Sequence, residues 1–293
     1  MLPTAAAVAT SCQLAGIGGA ALFSPIFLLG FPLLGPEYPL ESAAAAIASA
    51  LLTEVFGFSS GLSGYARRGL VSWPVATQFL KISVPLAFAG ALCASSVASY
   101  PQVLRAIYAA LMFALSAFLI LSPPAEQLAA QSAEDCEIGD DESTIQSVTA
   151  KDGKVFTYRS PPQGSVGGSA VTAGGSFLTG LLGVGVGEVV LPQLVRACCM
   201  PLPLAAGTSV ATVVVTAAAA AVVQFATLAA LAGDDIGSVI PFNLVRWTIP
   251  GVLIGGQIAP FIASRGLASD EAIETFAATL FALVGLSFVL AAL

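Results

Sequence analysis

The chain has 293 residues, 57% hydrophobic and only 9% charged, with a formal net charge of −7. Soluble domains carry about 25% charged residues, so the composition excludes that class and indicates a polytopic membrane protein. Eight of the 17 acidic residues are concentrated in residues 126–152, and no basic surface of the kind that binds nucleic acid is present.

In chain order, apolar segments fall at about 4–34, 40–64, 74–98, 102–122, 170–199, 203–232, 238–263 and 271–293, bounded by Pro, Gly and charged residues. Crossing a hydrocarbon layer takes about 20 helical residues. The first and fifth segments are too long, at about 30 residues or roughly 45 Å of unbroken helix. Each contains an interruption, GIGGAALFSP at 16–25 and GVGVGEVVLP at 183–192. The first apolar run passes straight into its glycines, so no cleavable signal is expected and the start reads as mature.

Both interruptions follow the pattern Gly, apolar, Gly, six residues, Pro, which sets Gly16 against Gly183 and Pro25 against Pro192. Lys81, Pro85 and Gly90 share a spacing with Arg246, Pro250 and Gly255, and YAALMFAL from Tyr108 matches FAATLFAL from Phe276. The three matches are separated by nearly the same length of chain, which predicts one four-segment unit used twice. The expected fold is all-α and polytopic, with residues 1–122 and 170–293 as two repeats and the first segment of each broken or re-entrant.

The polar stretch 123–169 lies between them, with Pro- and Gly-rich ends of linker composition. Its middle holds two β-favouring runs around Asp152 and Gly153, which predicts a small hairpin outside the membrane at about 144–159.

Lysine and arginine positions bear on topology, because cytoplasmic loops carry the excess of both. If all eight segments cross, Arg67, Arg68, Lys151, Lys154 and Arg159 face Arg105, Arg196 and Arg265 across the membrane. If the two overlong segments turn back near the midplane, Arg196 and Arg265 join the first group and Arg105 stands alone. The larger bias favours the second arrangement, which inverts the second repeat relative to the first.

Ionisable residues inside apolar segments are costly and therefore functional candidates. They are Glu54, Lys81, Glu188 and Arg246. Lys81 and Arg246 occupy matching places, each four residues before a proline, and matching positions in a two-fold repeat are expected to converge on one anion site. Glu188 aligns with Ala21, so it reads as a partner of Lys81 or Arg246, or as a proton-coupling group; Glu54 is the second candidate for ion pairing or coupling.

Gly16, Gly18, Gly19, Gly183, Gly185 and Gly187 are expected to open half-helix N-termini whose backbone N–H groups face an anion. Ser24, Thr208 and Ser209 add hydroxyl donors, weaker because such groups often bond their own helix. Five scattered cysteines with no histidine give no metal site, and adjacent Cys198 and Cys199 read as packing residues. No catalytic set or cofactor motif is found.

The two interruptions, together with TEVFGFSSGLSGYARRGLVSW at 53–73, AAGTSVATVVVT at 205–216 and NLVRWTIPGVLIGGQIAP at 243–260, cover both repeats. On these residues the chain resembles the TauE/SafE family of membrane permeases, described as sulfite exporters and sulfonate-related anion transporters. The resemblance implies a permease for a small sulfur oxyanion, in a bacterial plasma membrane or a plastid membrane. The expected partners are a small inorganic or organic anion, the lipid bilayer and a possible second copy in a homodimer, with no nucleic acid. Import coupled to protons or sodium, and a receptor that transports nothing, are the alternatives.

Overall fold

A computed structural model describes residues 2–14, 18–30, 43–121, 145–151, 153–160, 166–232, 242–265 and 270–290. Among them are ten α-helices and one two-stranded sheet. In the first half, α1 (Leu2–Leu14) and α2 (Ala20–Pro25) form a broken pair, followed by α3 (Ala43–Arg68), α4 (Trp73–Ala98) and α5 (Pro101–Leu121). In the second, α6 (Val166–Leu182) and α7 (Val186–Arg196) are broken likewise, followed by α8 (Leu202–Ala232), α9 (Phe242–Arg265) and α10 (Asp270–Leu290). The two overlong apolar segments are thus both interrupted at their glycines. Pro25 supplies no N–H, and directly after it α2 widens into a π turn over Ile26–Gly30.

The helices interlock across the halves. α1 lies along α9 and α6 along α4; α3 packs on α9 and α8 on α4; α3 also meets α8, and α5 meets α10. Glycines let these pairs close up, since a Cβ at Gly90 would collide with the Phe177 carbonyl and one at Gly255 with the Ala6 carbonyl. Two amide side chains join the broken segments to the long helices behind them. Gln13 Nε2 donates to the Gly57 carbonyl at 2.9 Å, and Gln224 Nε2 donates to the Gly180 carbonyl at 2.6 Å, both bridges spanning 44 residues.

Among the described residues three helices, over Ala43–Arg68, Trp73–Ala94 and Leu202–Ala230, are long and apolar enough to cross a membrane by length and composition. The outside of the bundle carries Trp73, Phe88, Leu92, Ile120, Val222, Trp247, Ile254, Phe261 and Leu286 as exposed side chains. An apolar exterior of this extent is what a bilayer covers and water does not.

The hairpin forms as expected, β1 (Ile145–Thr149) pairing antiparallel with β2 (Val155–Arg159). Gly153 holds φ +83 in its turn; Asp152 lies outside the described residues. A two-stranded sheet is marginal alone, and this one is tied to helix ends. The Lys151 N–H donates to the Arg68 carbonyl at 3.0 Å, the Arg159 N–H to the Cys198 carbonyl at 2.8 Å, and the Ser72 and Tyr158 hydroxyls share a hydrogen bond of 2.8 Å. The hairpin therefore bridges the α3–α4 and α7–α8 connections.

Candidate functional site

The α6–α7 break is built by backbone conformation. Gly183 and Gly185 have φ of +84 and +138, values that side-chain-bearing residues rarely adopt. Thr179 holds the turn with two oxygens, its carbonyl accepting the Gly183 N–H and its Oγ1 the Val186 N–H, each at 2.8 Å. The Tyr108 hydroxyl, fully buried, donates to the Leu182 carbonyl, satisfying one of the acceptors that the end of α6 leaves open. The N–H groups of the two breaks, Gly185's just before α7 and Gly18's just before α2, are directed into the protein.

Those groups meet a carboxylate. Glu188 Oε2 accepts the Gly185 N–H at 3.1 Å, capping α7, and Glu188 Oε1 accepts the Gly18 N–H, also at 3.1 Å. Gly18 and Gly185 hold matching positions in the two interruptions. One carboxylate thus receives an N–H from each break.

A second carboxylate stands beside it. Glu54 of α3 is 2% exposed, and neither of its oxygens completes a hydrogen bond among the described residues, although the Gly19 and Ala20 N–H groups face it. A Cβ at Gly18 would lie 3.0 Å from Glu54 Oε1 and 3.5 Å from Glu188 Oε1, so both acids press on one glycine. Cys12, buried on α1, is within electrostatic reach of both. Among the described residues no lysine or arginine forms an ion pair with either acid. Two charged carboxylates in such a site repel strongly, and one proton held between them, or a cation, removes most of the penalty.

The other expected site residues fall into three groups. Ser24 is buried at the break, its Oγ 3.6 Å from where a Gly183 Cβ would stand, and Gly19 and Gly187 lie in or beside the first turns of α2 and α7. Thr208 and Ser209 lie on α8, where Ser209 is buried without a partner among the described residues. Thr208 has a structural task instead: its Oγ1 accepts the Ser72 N–H at 3.0 Å and donates to the Leu204 carbonyl at 2.7 Å. Gly16 lies outside the described residues.

Lys81 and Arg246 are not brought to the breaks. Lys81 shares an exposed stripe of α4 with Pro85, Phe88 and Leu92, and Arg246 one of α9 with Pro250, Leu253 and Phe261. The buried stripes of the two helices, through Phe79, Ser83, Ala87 and Ala91 and through Val245, Thr248, Val252 and Ala259, point the other way. Backbone amides, not these cations, are the partners of Glu188.

Gln13, Tyr108 and Thr179 complete the site without having been picked out as site residues from the sequence. Tyr108 opens the repeated YAALMFAL segment, which marks its position but not its reach to Leu182. Cys198 and Cys199 do not form one reactive dithiol: burial pushes the Cys198 thiol up to about 12, and Cys199 is disulfide-bonded.

Interrupted helices that meet inside an apolar-surfaced bundle, with backbone N–H groups aimed at a negative group, define a membrane permease of the broken-helix class. The chain matches the family described as Sulfite exporter TauE/SafE over residues 1–288 and belongs to it. It is an integral membrane protein of a transporter family. No curated protein and no solved structure gives a match.

Proposed function

We propose that the protein moves a small sulfur oxyanion, sulfite or an organosulfonate, out of the cell or organelle by alternating access, from a cradle formed by the two helix breaks. The observation that carries this reading is the bridge from the Gly18 and Gly185 N–H groups to the Glu188 carboxylate. A carboxylate is itself an oxyanion, and in this conformation it occupies the position where a sulfonate or sulfite oxygen would accept the same bonds. The cross-packed helix pairs support a two-fold, inverted repeat, as do the amide bridges. In the register that sets Gly18 on Gly185, Gln13 and Gly57 correspond to Gly180 and Gln224, so the two bridges are one bridge with donor and acceptor exchanged. A potential of 100 mV, negative inside, favours anion exit by about 2.3 kcal/mol per charge.

Glu54 and Glu188, with no cation paired to either among the described residues, favour a second reading, in which each anion travels with a proton, for export or for import of sulfate or thiosulfate. An anion entering the cradle must displace Glu188, and a displaced acid that takes up a proton no longer repels the arrival.

Flux from proteoliposomes tests the proposal. Sulfite or methanesulfonate is expected to leave faster than from protein-free vesicles under an inside-negative potential. Absence of flux for sulfite, sulfate, thiosulfate and organosulfonates alike would replace transport by a receptor role. Because Lys81 and Arg246 lie off the cradle, replacing both by Gln is expected to change anion affinity by less than about threefold, as for exposed charges. A loss beyond about tenfold, some 1.4 kcal/mol, would return them to the binding step.

A further inference from the structure

Lys81 and Arg246 hold matching places in the two halves, and each lies off the helix breaks on a stripe of exposed, mostly apolar side chains. Neither makes a hydrogen bond or an ion pair among the described residues. A cation in apolar surroundings is costly, so its place along its helix decides what can neutralise it.

The two helices begin at opposite ends of the bundle. α4 starts beside the hairpin, because Ser72, the residue before it, shares a hydroxyl hydrogen bond with Tyr158 of β2. α9 runs alongside α3 in the same direction. The Thr53 and Thr248 hydroxyls meet at 3.2 Å, Ser60 Oγ donates to the Leu253 carbonyl at 2.8 Å, and a Cβ at Gly64 would lie 3.0 Å from Pro260 Cγ. α3 finishes at Arg68 against the hairpin, so α9 finishes at that end and begins at the other. Lys81 therefore stands about 12 Å along α4 from the hairpin end, and Arg246 about 6 Å along α9 from the opposite end. Both helices are longer than a hydrocarbon layer of roughly 30 Å is thick, which leaves each cation within about 10 Å of a different surface. A helical side chain leans toward the N-terminus of its own helix, and for both residues that is the nearer surface. The exposed Trp73 and Trp247 lie toward the same two ends, as interfacial aromatic residues do.

We infer that Lys81 and Arg246 each hold the headgroup of an anionic phospholipid, one in either leaflet. A cation reaching outward from an apolar stripe meets the lipid phosphodiester first. In phosphatidylcholine that charge is already balanced by choline, whereas phosphatidylglycerol carries it uncompensated, so the net negative lipid is preferred. Gly90 and Gly255, each nine residues beyond its cation, fall on the opposite face at about 100° per residue, and there α6 and α1 close up. Each lipid thus lies on the back of a helix that supports one of the two breaks.

The test uses the full chain in nanodiscs of phosphatidylcholine mixed with phosphatidylglycerol, and native mass spectrometry reads which lipids stay bound, independently of transport. Both side chains are exposed, so K81Q and R246Q are each expected to keep the wild-type melting temperature in phosphatidylcholine alone. Each is expected to lower the preference of one lipid site for phosphatidylglycerol by about fivefold or more, and K81R/R246K to retain it. In vesicles with phosphatidylglycerol confined to one leaflet, the two substitutions are expected to act from different leaflets. A preference unchanged in K81Q/R246Q overturns the inference, as does none in the wild type, and two substitutions that sense the same leaflet overturn the placement. A dimer in phosphatidylcholine alone that dissociates on substitution overturns it too, because a second copy is then what meets the cations.

Discussion

Replacing Glu188 by Gln is expected to remove the pH dependence of anion binding. On the proposed reading, an anion reaches the Gly18 and Gly185 N–H groups only when the carboxylate bonded to both moves away. Glu54 and Cys12 are the titratable groups within electrostatic reach of it, and among the described residues no cation pairs with it. A displaced, charged Glu188 repels the incoming anion, so binding takes up a proton. Affinity then falls as pH rises, by at most about tenfold per pH unit for one proton. A Gln at 188 carries no charge to neutralise, and its affinity is expected to stay flat over the same range. Its amide can accept only one of the two N–H groups, which costs about 1–3 kcal/mol of stability through the bond left unmade. Methanesulfonate is the proper probe, because its own charge does not change near neutral pH as that of sulfite does. Calorimetric titrations from pH 6 to 8 give the slope, and equal slopes for wild type and E188Q would remove Glu188 from the coupling. Glu54→Gln separates the two acids: it keeps the Glu188 bonds, and a slope lost only in that variant assigns the proton to Glu54.

Much of the architecture was legible in the sequence because it rests on one-dimensional signals. Apolar length sets the segments, the glycines of GIGGAALFSP and GVGVGEVVLP mark where two of them break, and the β-favouring runs around Gly153 specify the hairpin. The direction in which side chains point was not legible. In a soluble helix the polar stripe identifies the outside, but in a bilayer the outside is apolar too. The stripe of Lys81, Phe88 and Leu92 is therefore no less hydrophobic in pattern than the buried one, and a cation at a matching position reads as central whichever way its side chain points. Glu188 was ambiguous for a related reason. Its partners are N–H groups of backbone, which every residue but proline carries, so nothing in the side-chain alphabet announces them. Only the register linking Gly18 to Gly185 carries that information, and it becomes a contact when the two breaks meet.

The same meeting explains why each half contributes a break but only one acid sits on the bridge. Glu188 aligns with Ala21, and in the same register Glu54 aligns with Ala221. A pair of glycine amides from the two breaks offers one position between them, which two identical acids would contest. The chain instead takes its two carboxylates from non-equivalent places, one bonded to both amides and one beside it without a completed bond among the described residues. On the proposed reading, the asymmetry gives the site an internal anion and a neighbour able to share its proton, while the backbone cradle keeps the matched geometry that suits a small oxyanion.

Gly185→Ala is expected to damage both fold and transport, whereas Gly18→Ala is expected to damage transport alone. At Gly185 the added methyl meets φ +138 and the Gly175 carbonyl oxygen 2.5 Å away, and that oxygen belongs to backbone of a neighbouring helix. Backbone strain of about 1–3 kcal/mol and overpacking of about 1–3 kcal/mol add to a loss that lowers the melting temperature in detergent by many degrees. Gly153→Ala is the control, since its φ of +83 is also left-handed but nothing lies within 4 Å of the new Cβ. It should cost about 1 kcal/mol and leave flux unchanged. At Gly18 no positive φ is involved, and the methyl would press on Glu54 Oε1 at 3.0 Å and approach Glu188 Oε1 at 3.5 Å. Both are tips of side chains that can swing aside, so the helices keep their packing while the Gly18 N–H loses its carboxylate. Melting temperature within a few degrees of wild type, with proteoliposome flux reduced about tenfold or more by disturbed positioning, is the expected result for G18A. Full flux in G18A would show that the amide at this break does not hold the anion, and a wild-type melting temperature in G185A would mean that the turn can be rebuilt without its glycine.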